Sequence, residues 1–233
     1  MKITDATWEQ RNLGVTCYEI TFERDDKLSD VAGDWDKFLE RQYLVLKVPN
    51  YRPDIAAFVQ AQGAKYIETA ITFKCDLRTW QLPASLKDIC GLSSYAPMND
   101  DDVQVMLTEI RKGIFKTDRI YLDPYFTHEQ AARRYVNWAT DMLNRGHVAY
   151  KVMYRGEAVG FFNDALAGVY SKFTGTGMGL FVQYSTLDAA ARYTKQTKVE
   201  AVVSSNNPEV VNIRIKLGCL IGKMNSVFVK HND

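Results

Sequence analysis

Apolar and polar positions in the first third of the chain follow strand-like and helix-like spacings in turn. Runs rich in β-formers at 15–22, 43–48 and 66–76 predict strands, and helical spacing at 34–41 and 53–62 predicts two short helices. Because short strands and short helices alternate, this segment is predicted to form an open α/β layer.

Two segments far apart in the chain share one pattern. Residues 60–74 (QAQGAKYIETAITFK) and 215–230 (IKLGCLIGKMNSVFVK) each read as a helix end, a glycine and a strand. If this is a true internal repeat, the N-terminal part is a truncated copy of the C-terminal fold. The alternative is coincidence, because helix, glycine and strand often follow one another.

The stretch 80–102 breaks the periodic pattern of the preceding segment. Its chain-breaking positions are Pro83, Gly91, Pro97 and the Asn/Asp run 99–102. A linker is therefore predicted here, with a short helix at 103–111. This divides the chain into an N-terminal α/β domain, 1–98, and a second domain, 99–233.

Clear helix and strand signals return after this linker. Thr127 and Gln130 have the spacing of a capping box, which predicts a helix that continues to about residue 145. The remaining extended segments are predicted at 119–122, 147–154, 158–163 and 166–173. The second and third of these are separated by Arg-Gly-Glu at 155–157, which predicts a hairpin.

The segment 169–179, VYSKFTGTGMG, joins the last of these strands to a helix-prone run that ends near Lys195. Gly175, Gly177 and Gly179 leave its backbone N–H groups little shielded, and the helix that follows directs its positive dipole end to the same place. This pattern predicts a phosphate site. The alternative is a tight turn between strand and helix.

A second ordered motif follows that helix. Residues 199–205 read as a buried strand, and Asn207 is a natural N-cap with Pro208 at the first helical position. The apolar positions Val210, Ile213 and Leu217 then mark one face of a helix that ends at Gly218.

Composition narrows the functional classes further. The chain has 233 residues, 46% of them hydrophobic, which is ample for a core, and its formal net charge of +1 gives no field that would attract nucleic acid or an anionic membrane. The four cysteines, Cys17, Cys75, Cys90 and Cys219, lie far apart, so buried thiols are expected and not a metal site or a disulfide framework. A signal peptide and a long apolar run are both lacking, so we expect a cytoplasmic protein.

The two ordered motifs resemble those of the Gcn5-related N-acetyltransferase superfamily. TGTGMG (174–179) is similar to the acetyl-CoA loop Arg/Gln-x-x-Gly-x-Gly/Ala, and NNPEVVNIRIKLGC (206–219) is similar to the Asn-initiated helix that ends in Leu-Gly-Phe. The resemblance implies a mixed, mostly antiparallel central sheet flanked by helices, an α/β or α+β fold. The smaller N-terminal domain would be a partial copy of it.

The resemblance also implies roles for individual residues. The pyrophosphate of acetyl-CoA would be held by the loop residues Thr174, Gly175, Thr176, Gly177, Met178 and Gly179. The backbone at Val169 and Tyr170 would meet the pantetheine arm, with Asn207 close to that arm. Arg214 stands where the family usually has a tyrosine that protonates the leaving thiolate. Because arginine is a poor proton donor, Arg214 is a candidate to pair with a CoA phosphate or a substrate anion, with a solvated helix residue as the alternative.

Two further segments supply candidates for the general base and for contacts to the acceptor. Asn163 and Asp164 are the polar groups closest to where the strands should separate, so they are the candidates for the base, with a hairpin turn as the alternative. Contacts to the acceptor are expected from the segment 118–128, DRIYLDPYFTH. Its candidate residues are Arg119, Asp123, Tyr125 and His128, and an ordinary surface loop is the alternative.

The predicted function is transfer of an acetyl group from acetyl-CoA to a small-molecule primary amine. The segment DRIYLDPYF and the N-terminal α/β part resemble the dTDP-fucosamine acetyltransferases, which implies a nucleotide-linked amino sugar as acceptor. Alternatives are a CoA-binding module without transferase activity and a dinucleotide-binding oxidoreductase, whose glycine spacing does not fit. The oligomeric state stays open, with a homodimer as one expectation.

Overall fold

A computed structural model describes residues 1–232 of the chain, which fold into ten strands and ten helices. The strands are β1 (Lys2–Asp5), β2 (Cys17–Thr21), β3 (Tyr43–Pro49), β4 (Lys65–Asp76), β5 (Ser93–Pro97), β6 (Tyr150–Tyr154), β7 (Glu157–Phe162), β8 (Ala167–Val169), β9 (Lys198–Ser204) and β10 (Leu220–His231). The helices are α1 (Trp8–Leu13), α2 (Leu28–Gly33), α3 (Trp35–Phe38), α4 (Pro53–Ala61), α5 (Lys87–Cys90), α6 (Asp100–Arg111), α7 (Arg119–Leu122), α8 (His128–Asn144), α9 (Gly179–Tyr193) and α10 (Pro208–Lys216).

The strands form two sheets. The larger has the order β1-β2-β3-β10-β4-β9, and the smaller has the order β5-β6-β7-β8. All pairs are antiparallel except β2 with β3. Each sheet contains strands from both sides of position 98, so the sheets do not follow the predicted division into 1–98 and 99–233. In particular, β10 lies between β3 and β4 and ties the end of the chain to its first third.

The larger sheet is built from two copies of one strand-helix-strand unit. Each boundary of β9, α10 and β10 lies 155 residues after its counterpart in β3, α4 and β4, as Tyr43 and Lys198, Pro53 and Pro208, or Lys65 and Leu220 show. Their pairing follows the same symmetry, since Pro49 faces Asn225 across one strand pair and Ala70 faces Ser204 across the other. The internal repeat predicted from the glycine pattern is thus confirmed and extends over both units without an insertion.

Helices cover both faces of the larger sheet. On one face α2, α3 and α4 pack over β3 around Leu44, Leu46 and Phe38, while α9 and α10 pack over β4 and β9 around Phe73 and Leu187. The other face of this sheet is covered by α1, α7 and α8. The smaller sheet lies between α6 and α8 on one side and α9 on the other. Helix α9 therefore bridges the two sheets.

Helix starts and turns that were predicted from a capping or turn residue are confirmed. Thr127 and Gln130 form the predicted capping box of α8, and Asn207 caps α10 with Pro208 in its first turn. Arg155 and Gly156, both with positive φ, make the turn of the β6–β7 hairpin. Two expectations were wrong: 119–122 is helix α7 and not extended, and the strand predicted at 166–173 is only β8, followed by a 3₁₀ turn at Ser171–Phe173.

Candidate functional site

The two sheets part between β8 and β9, which are edge strands of the smaller and the larger sheet. Helix α9 connects them, and a cleft of about 140 Å³ opens between β8, the first turns of α9 and the start of α10. Its lining residues are Ile114, Phe115, Ala167, Gly168, Val169, Phe173, Thr174, Gly175, Gly179, Val182, Gln183, Asn207, Glu209 and Val210. The glycine loop and the Asn207 motif, 30 residues apart in sequence, therefore meet at one site.

The glycine loop is shaped for an anion. Gly175 and Gly177 adopt φ of 76° and 82°, a left-handed conformation that other residues reach only with strain. The N–H groups of Gly175, Gly177, Met178 and Gly179 meet no hydrogen-bond acceptor among residues 1–232. These four donors lie at the N-terminus of the 15-residue helix α9, where the helix dipole adds positive potential.

Two of the loop residues expected to contact phosphate have other partners. The N–H of Thr176 donates to the carbonyl oxygen of Phe173 at 3.2 Å, and the N–H of Thr174 donates to that of Ser171 at 3.2 Å. Their amides therefore shape the turn and do not face the cleft as free donors. Thr174 still lines the cleft, so its hydroxyl remains available there.

The edge of β8 offers backbone groups to an extended ligand. Leu166 and Tyr170 are hydrogen-bonded to β7 and the residue that follows it: the Asn163 N–H donates to Leu166 O, and the Tyr170 N–H donates to Val159 O. Because pairing alternates along an antiparallel strand, the N–H and C=O groups of Ala167 and Val169 face away from β7. Val169 therefore has free backbone groups at this edge, whereas the Tyr170 amide is used within the sheet and its ring is buried in the core.

Arg214 does not line this cleft. Its side chain is buried, its Nη2 lies 3.4 Å from the Thr186 hydroxyl, and its other polar neighbours are the thiols of Cys219 and Cys75. Burial lowers the pKa of the guanidinium, and the two thiols oppose this shift. Among residues 1–232 the guanidinium forms no ion pair with a carboxylate.

The polar residues of the β7–β8 turn hold that turn together. The Asn163 side-chain oxygen accepts hydrogen bonds from the N–H groups of Ala165 and Leu166 at 2.9 and 2.7 Å. Asp164 pairs with His147 at 2.6 Å. Both therefore have the structural role that was the alternative to a catalytic one, and neither lines the cleft.

The segment expected to bind the acceptor is mostly engaged within the protein. Arg119 is buried between the carboxylates of Glu19 and Glu9, and although desolvation alone would lower its pKa, Glu19 raises it. Asp123 pairs with His231 at 2.8 Å. The exposed Tyr125 ring stacks on His231 at 3.9 Å, and His128 stacks on Tyr121 at 4.1 Å.

Glu68 is a buried acid that the sequence pattern did not single out. It lies on β4 and is 7% exposed, near the hydroxyl of Ser204, the last residue of β9. Burial raises the pKa of Glu68, while the hydrogen bond from Ser204 and the charge of Arg119 act in the opposite direction. In the sequence, Glu68 is one polar residue in an alternating strand, so only the fold reveals its burial.

The strand that carries Glu68 is fastened to the edge of the cleft. Ser205 N donates to Thr69 O at 2.8 Å, and Thr69 N donates to Ser205 Oγ at 3.0 Å. The side-chain amide of Asn206 donates to Ile67 O at 3.3 Å. Asn207, the next residue, lines the cleft and caps α10 through Val210 N at 3.1 Å. Glu68 therefore lies next to the chain segment that forms the far wall of the cleft.

Gln183 and Glu209 complete the polar lining. Gln183 is 6% exposed, and its side-chain oxygen meets no partner among residues 1–232. Glu209 is exposed in the first turn of α10, and its Oε1 would lie 3.4 Å from a Cβ built on Gly179. One side chain thus offers an unused acceptor to a ligand, while the other brings negative charge to the N-terminus of α9.

Comparison with solved structures identifies the fold. The chain is similar over 93% of its length to a tandem GNAT protein from the clavulanic acid biosynthesis pathway, with 17% identity, 75% of that chain covered and a TM-score of 0.56. It is similar over 99% to a GCN5-related N-acetyltransferase from Sphaerobacter thermophilus, with 9% identity, 76% of that chain covered and a TM-score of 0.61.

A third solved structure is similar over 98% of this chain, with 9% identity and a TM-score of 0.63. It is the glucosamine N-acetyltransferase region of a fungal multi-domain GH3 β-N-acetylglucosaminidase, and 31% of that chain is covered. No protein-family model and no curated protein matches the sequence. The chain therefore has the fold of the GCN5-related N-acetyltransferases, as the two motifs predicted. In the part of the chain described, no helix is long and apolar enough to cross a bilayer.

Proposed function

We propose that the protein is an N-acetyltransferase that uses acetyl-CoA and acts on a primary amine. The observation that carries this proposal is the set of four unpaired N–H groups at the N-terminus of α9, in a cleft bounded by an open strand edge. Acetyl-CoA would supply an activated acyl group as a thioester. The residues present fit it, since the loop donors suit a pyrophosphate and the Ala167–Val169 edge suits the amides of a pantetheine arm.

Glu68 is the residue we assign as the base. An amine must lose a proton before it can attack, and a carboxylate whose pKa is raised accepts that proton more readily near neutral pH. Ser204 orients the carboxylate, and Asp118 and Arg119 face it from the α6–α8 connection. This connection also supplies Ile114 and Phe115 to the cleft, so the amine would enter between it and β4.

Arg214 occupies the position where the family usually has a tyrosine that protonates the leaving thiolate, and it is a poor proton donor. Because its guanidinium is directed toward Thr186 and two cysteines, a proton for the departing sulfur would come from water. This departure supports a second candidate function, a CoA-binding module without transferase activity. Release of free thiol from acetyl-CoA only when an amine is present distinguishes the enzyme from the module.

The acceptor we propose is the amino group of a nucleotide-linked amino sugar. The resemblance of DRIYLDPYF to the dTDP-fucosamine group supports it, as does the likeness to a glucosamine N-acetyltransferase region. A panel of a nucleotide-linked amino sugar, a free hexosamine and a peptide amine tests it by thiol release. Preference for the peptide amine would contradict the proposed acceptor but not the proposed reaction.

Coenzyme binding is tested by calorimetry on two glycine variants with equal backbone strain. Gly177 and Gly146 have φ of 82° and 83°, and a Cβ on either would meet no atom within 4 Å. Gly177→Ala should weaken acetyl-CoA binding at least about tenfold, because alanine disfavours this positive φ and would turn the loop N–H away from the phosphate, and one lost charge-assisted hydrogen bond is worth roughly 1.5–3 kcal/mol. Gly146 follows α8 and lies outside the cleft, so Gly146→Ala should bind acetyl-CoA like the wild type. Equal affinity for both variants would contradict the loop as the phosphate site.

A further inference from the structure

Two cysteines from the two halves of the chain meet beneath α10. Leu220 faces Lys74 across the β10–β4 pair, so the residues one step further, Cys219 and Cys75, are direct cross-strand neighbours. Both thiols belong to one buried cluster. Residues directly opposed in antiparallel strands have Cα atoms about 4.5–5.5 Å apart, which is within the usual range for a disulfide.

Arg214 gives this pair an unusual charge environment. The guanidinium is buried on α10 beside both thiols and has no carboxylate partner among residues 1–232. A buried cation without a counter-charge is costly, and a thiolate is the anion that lies closest to it. The hydrogen bond from Cys75 and the charge of Arg214 lower the pKa of Cys219 to about 7, against the effect of burial. Asp76 is the other charged group that acts on the pair, through Cys75.

We propose that Cys219 and Cys75 form a redox-active dithiol that closes to a disulfide with a peroxide as oxidant. The Cys219 thiolate attacks one peroxide oxygen and becomes a sulfenic acid, while the other oxygen leaves as hydroxide and takes up a proton to form water. The Cys75 thiol then attacks the sulfenic sulfur, and the second water leaves with the thiol proton. Two thiols are oxidised and one peroxide is reduced to two waters.

The two side chains are equally buried, at 4% exposure, but Cys219 lies closer to an exposed turn. Although its own side chain is buried, it lies between Gly218 and Leu220, both exposed, in the turn that leads into β10. A local opening of this turn is enough to expose the sulfur, whereas Cys75 lies within β4 between two paired strands. The attacking thiol is therefore assigned to Cys219 and the resolving thiol to Cys75.

Peptide mapping after treatment of the folded protein with hydrogen peroxide tests the proposal. The expected product is one cross-linked peptide pair containing Cys75 and Cys219, with Cys17 and Cys90 still alkylated as free thiols. Because this link would close a loop spanning most of the chain, the oxidised protein should melt higher, by about 5 °C or more. Reduction should restore the original melting temperature.

Variants separate the role of each group. Cys219→Ser should prevent the cross-link and Cys90→Ser should leave it unchanged. Arg214→Met should slow cross-linking about tenfold at pH 7, and Arg214→Lys should restore part of the rate. Thiols that stay reduced in the folded wild type, cross-linking only in urea, or equal oxidation of Cys17 and Cys90 would each overturn the proposal. These outcomes do not depend on coenzyme binding.

Discussion

Glu209 places a carboxylate beside a helix end that is otherwise suited to an anion. Its Oε1 lies close to Gly179, where the proposed pyrophosphate would meet the first N–H groups of α9. A like charge at this distance opposes binding, and charges at helix ends are worth roughly 0.3–1 kcal/mol. We therefore expect Glu209 to weaken the binding of the coenzyme.

Glu209→Gln should tighten acetyl-CoA binding about two- to fivefold at low ionic strength, and added salt should reduce the difference by screening. Calorimetric titration at two salt concentrations measures both effects. Glu129→Gln is the matched control, since Glu129 also lies in the first turn of a helix, α8, but away from the cleft. Unchanged or weaker binding by Glu209→Gln would show that the carboxylate does not face the ligand.

Glu68 links the proposed chemistry to stability. Because its pKa in the folded protein is raised, its contribution to stability is present below the pKa of the unfolded chain and is lost as the pH rises through the folded value. Glu68→Gln should therefore melt higher than the wild type at pH 8 and the same at pH 4. Transferase activity should fall at least about a hundredfold with little change in acetyl-CoA affinity.

Thermal melts across pH and thiol-release rates measure the two effects of Glu68→Gln. Asp118→Asn serves as a comparison, since Asp118 caps α7 and accepts a hydrogen bond from Tyr135. It should lose stability, because both of these hydrogen bonds are weakened. Full activity in Glu68→Gln would remove Glu68 from the role of base.

At the scale of elements, the first unit lacks the opening that forms the proposed coenzyme site in the second. Its strand β3 pairs in parallel with the preceding strand β2, from Cys17 with Tyr43 to Thr21 with Lys47, so no cleft opens between them. Arg52 stands at the cap position that Asn207 occupies in the second unit, with nearly the same φ of −115° and −116°. In the second unit, the N–H donors beside this position are suited to an anion. In the first unit, the positively charged guanidinium of Arg52 lies in the corresponding place.

Arg52 binds the β2–α2 connection through three carbonyl oxygens, those of Glu23, Arg24 and Asp26, at 3.3, 2.9 and 2.7 Å. It also pairs with Asp54 at 2.7 Å. Arg52→Ala should lower the free energy of unfolding by about 1 kcal/mol, because three carbonyl oxygens lose a charged donor in a partly solvent-exposed setting. Arg78→Ala should have a clearly smaller effect, since Arg78 pairs with Asp76 at the same spacing but is exposed. Urea unfolding of both variants measures this, and equal losses would contradict it.

One coenzyme per chain is the second expectation at this scale. The first unit has no open strand edge beside its helix and no counterpart of the glycine loop, so only the cleft at α9 should bind. Calorimetry should give a stoichiometry close to one. Two equivalent sites would mean that β2 and β3 separate in solution.

For the whole molecule, the interleaved order of the larger sheet decides how the chain folds. Strand β10 separates β3 from β4, so within residues 1–98 β3 pairs only with β2 and β4 has no partner strand. A fragment of residues 1–98 should therefore lack cooperative unfolding, while the full chain should unfold in one transition. Circular dichroism with urea measures both, and a cooperative fragment would restore the division at residue 98 as a folding boundary.

Several features followed from the sequence alone because short-range chemistry fixed them. The caps at Thr127 and Asn207, the turn at Gly156 and the left-handed glycines of the loop depend on a few neighbouring residues, and they revealed the fold class and the loop. The helix period of Ile213 and Leu217 likewise predicted which face of α10 is buried.

Other features were decided only by the tertiary structure, because they depend on partners distant in sequence. The place of β10 between β3 and β4, the burial of Glu68 beside Ser204, and the direction of Arg214 toward two cysteines arise from strand pairing across more than 130 residues. The sequence left a surface loop open as the setting of Arg119, whereas in the structure its guanidinium lies between the carboxylates of Glu9 and Glu19. The local sequence pattern determined the helices, the strands and the glycine loop. Which charged groups are buried, and beside which partners, was decided only when the two halves of the chain packed together.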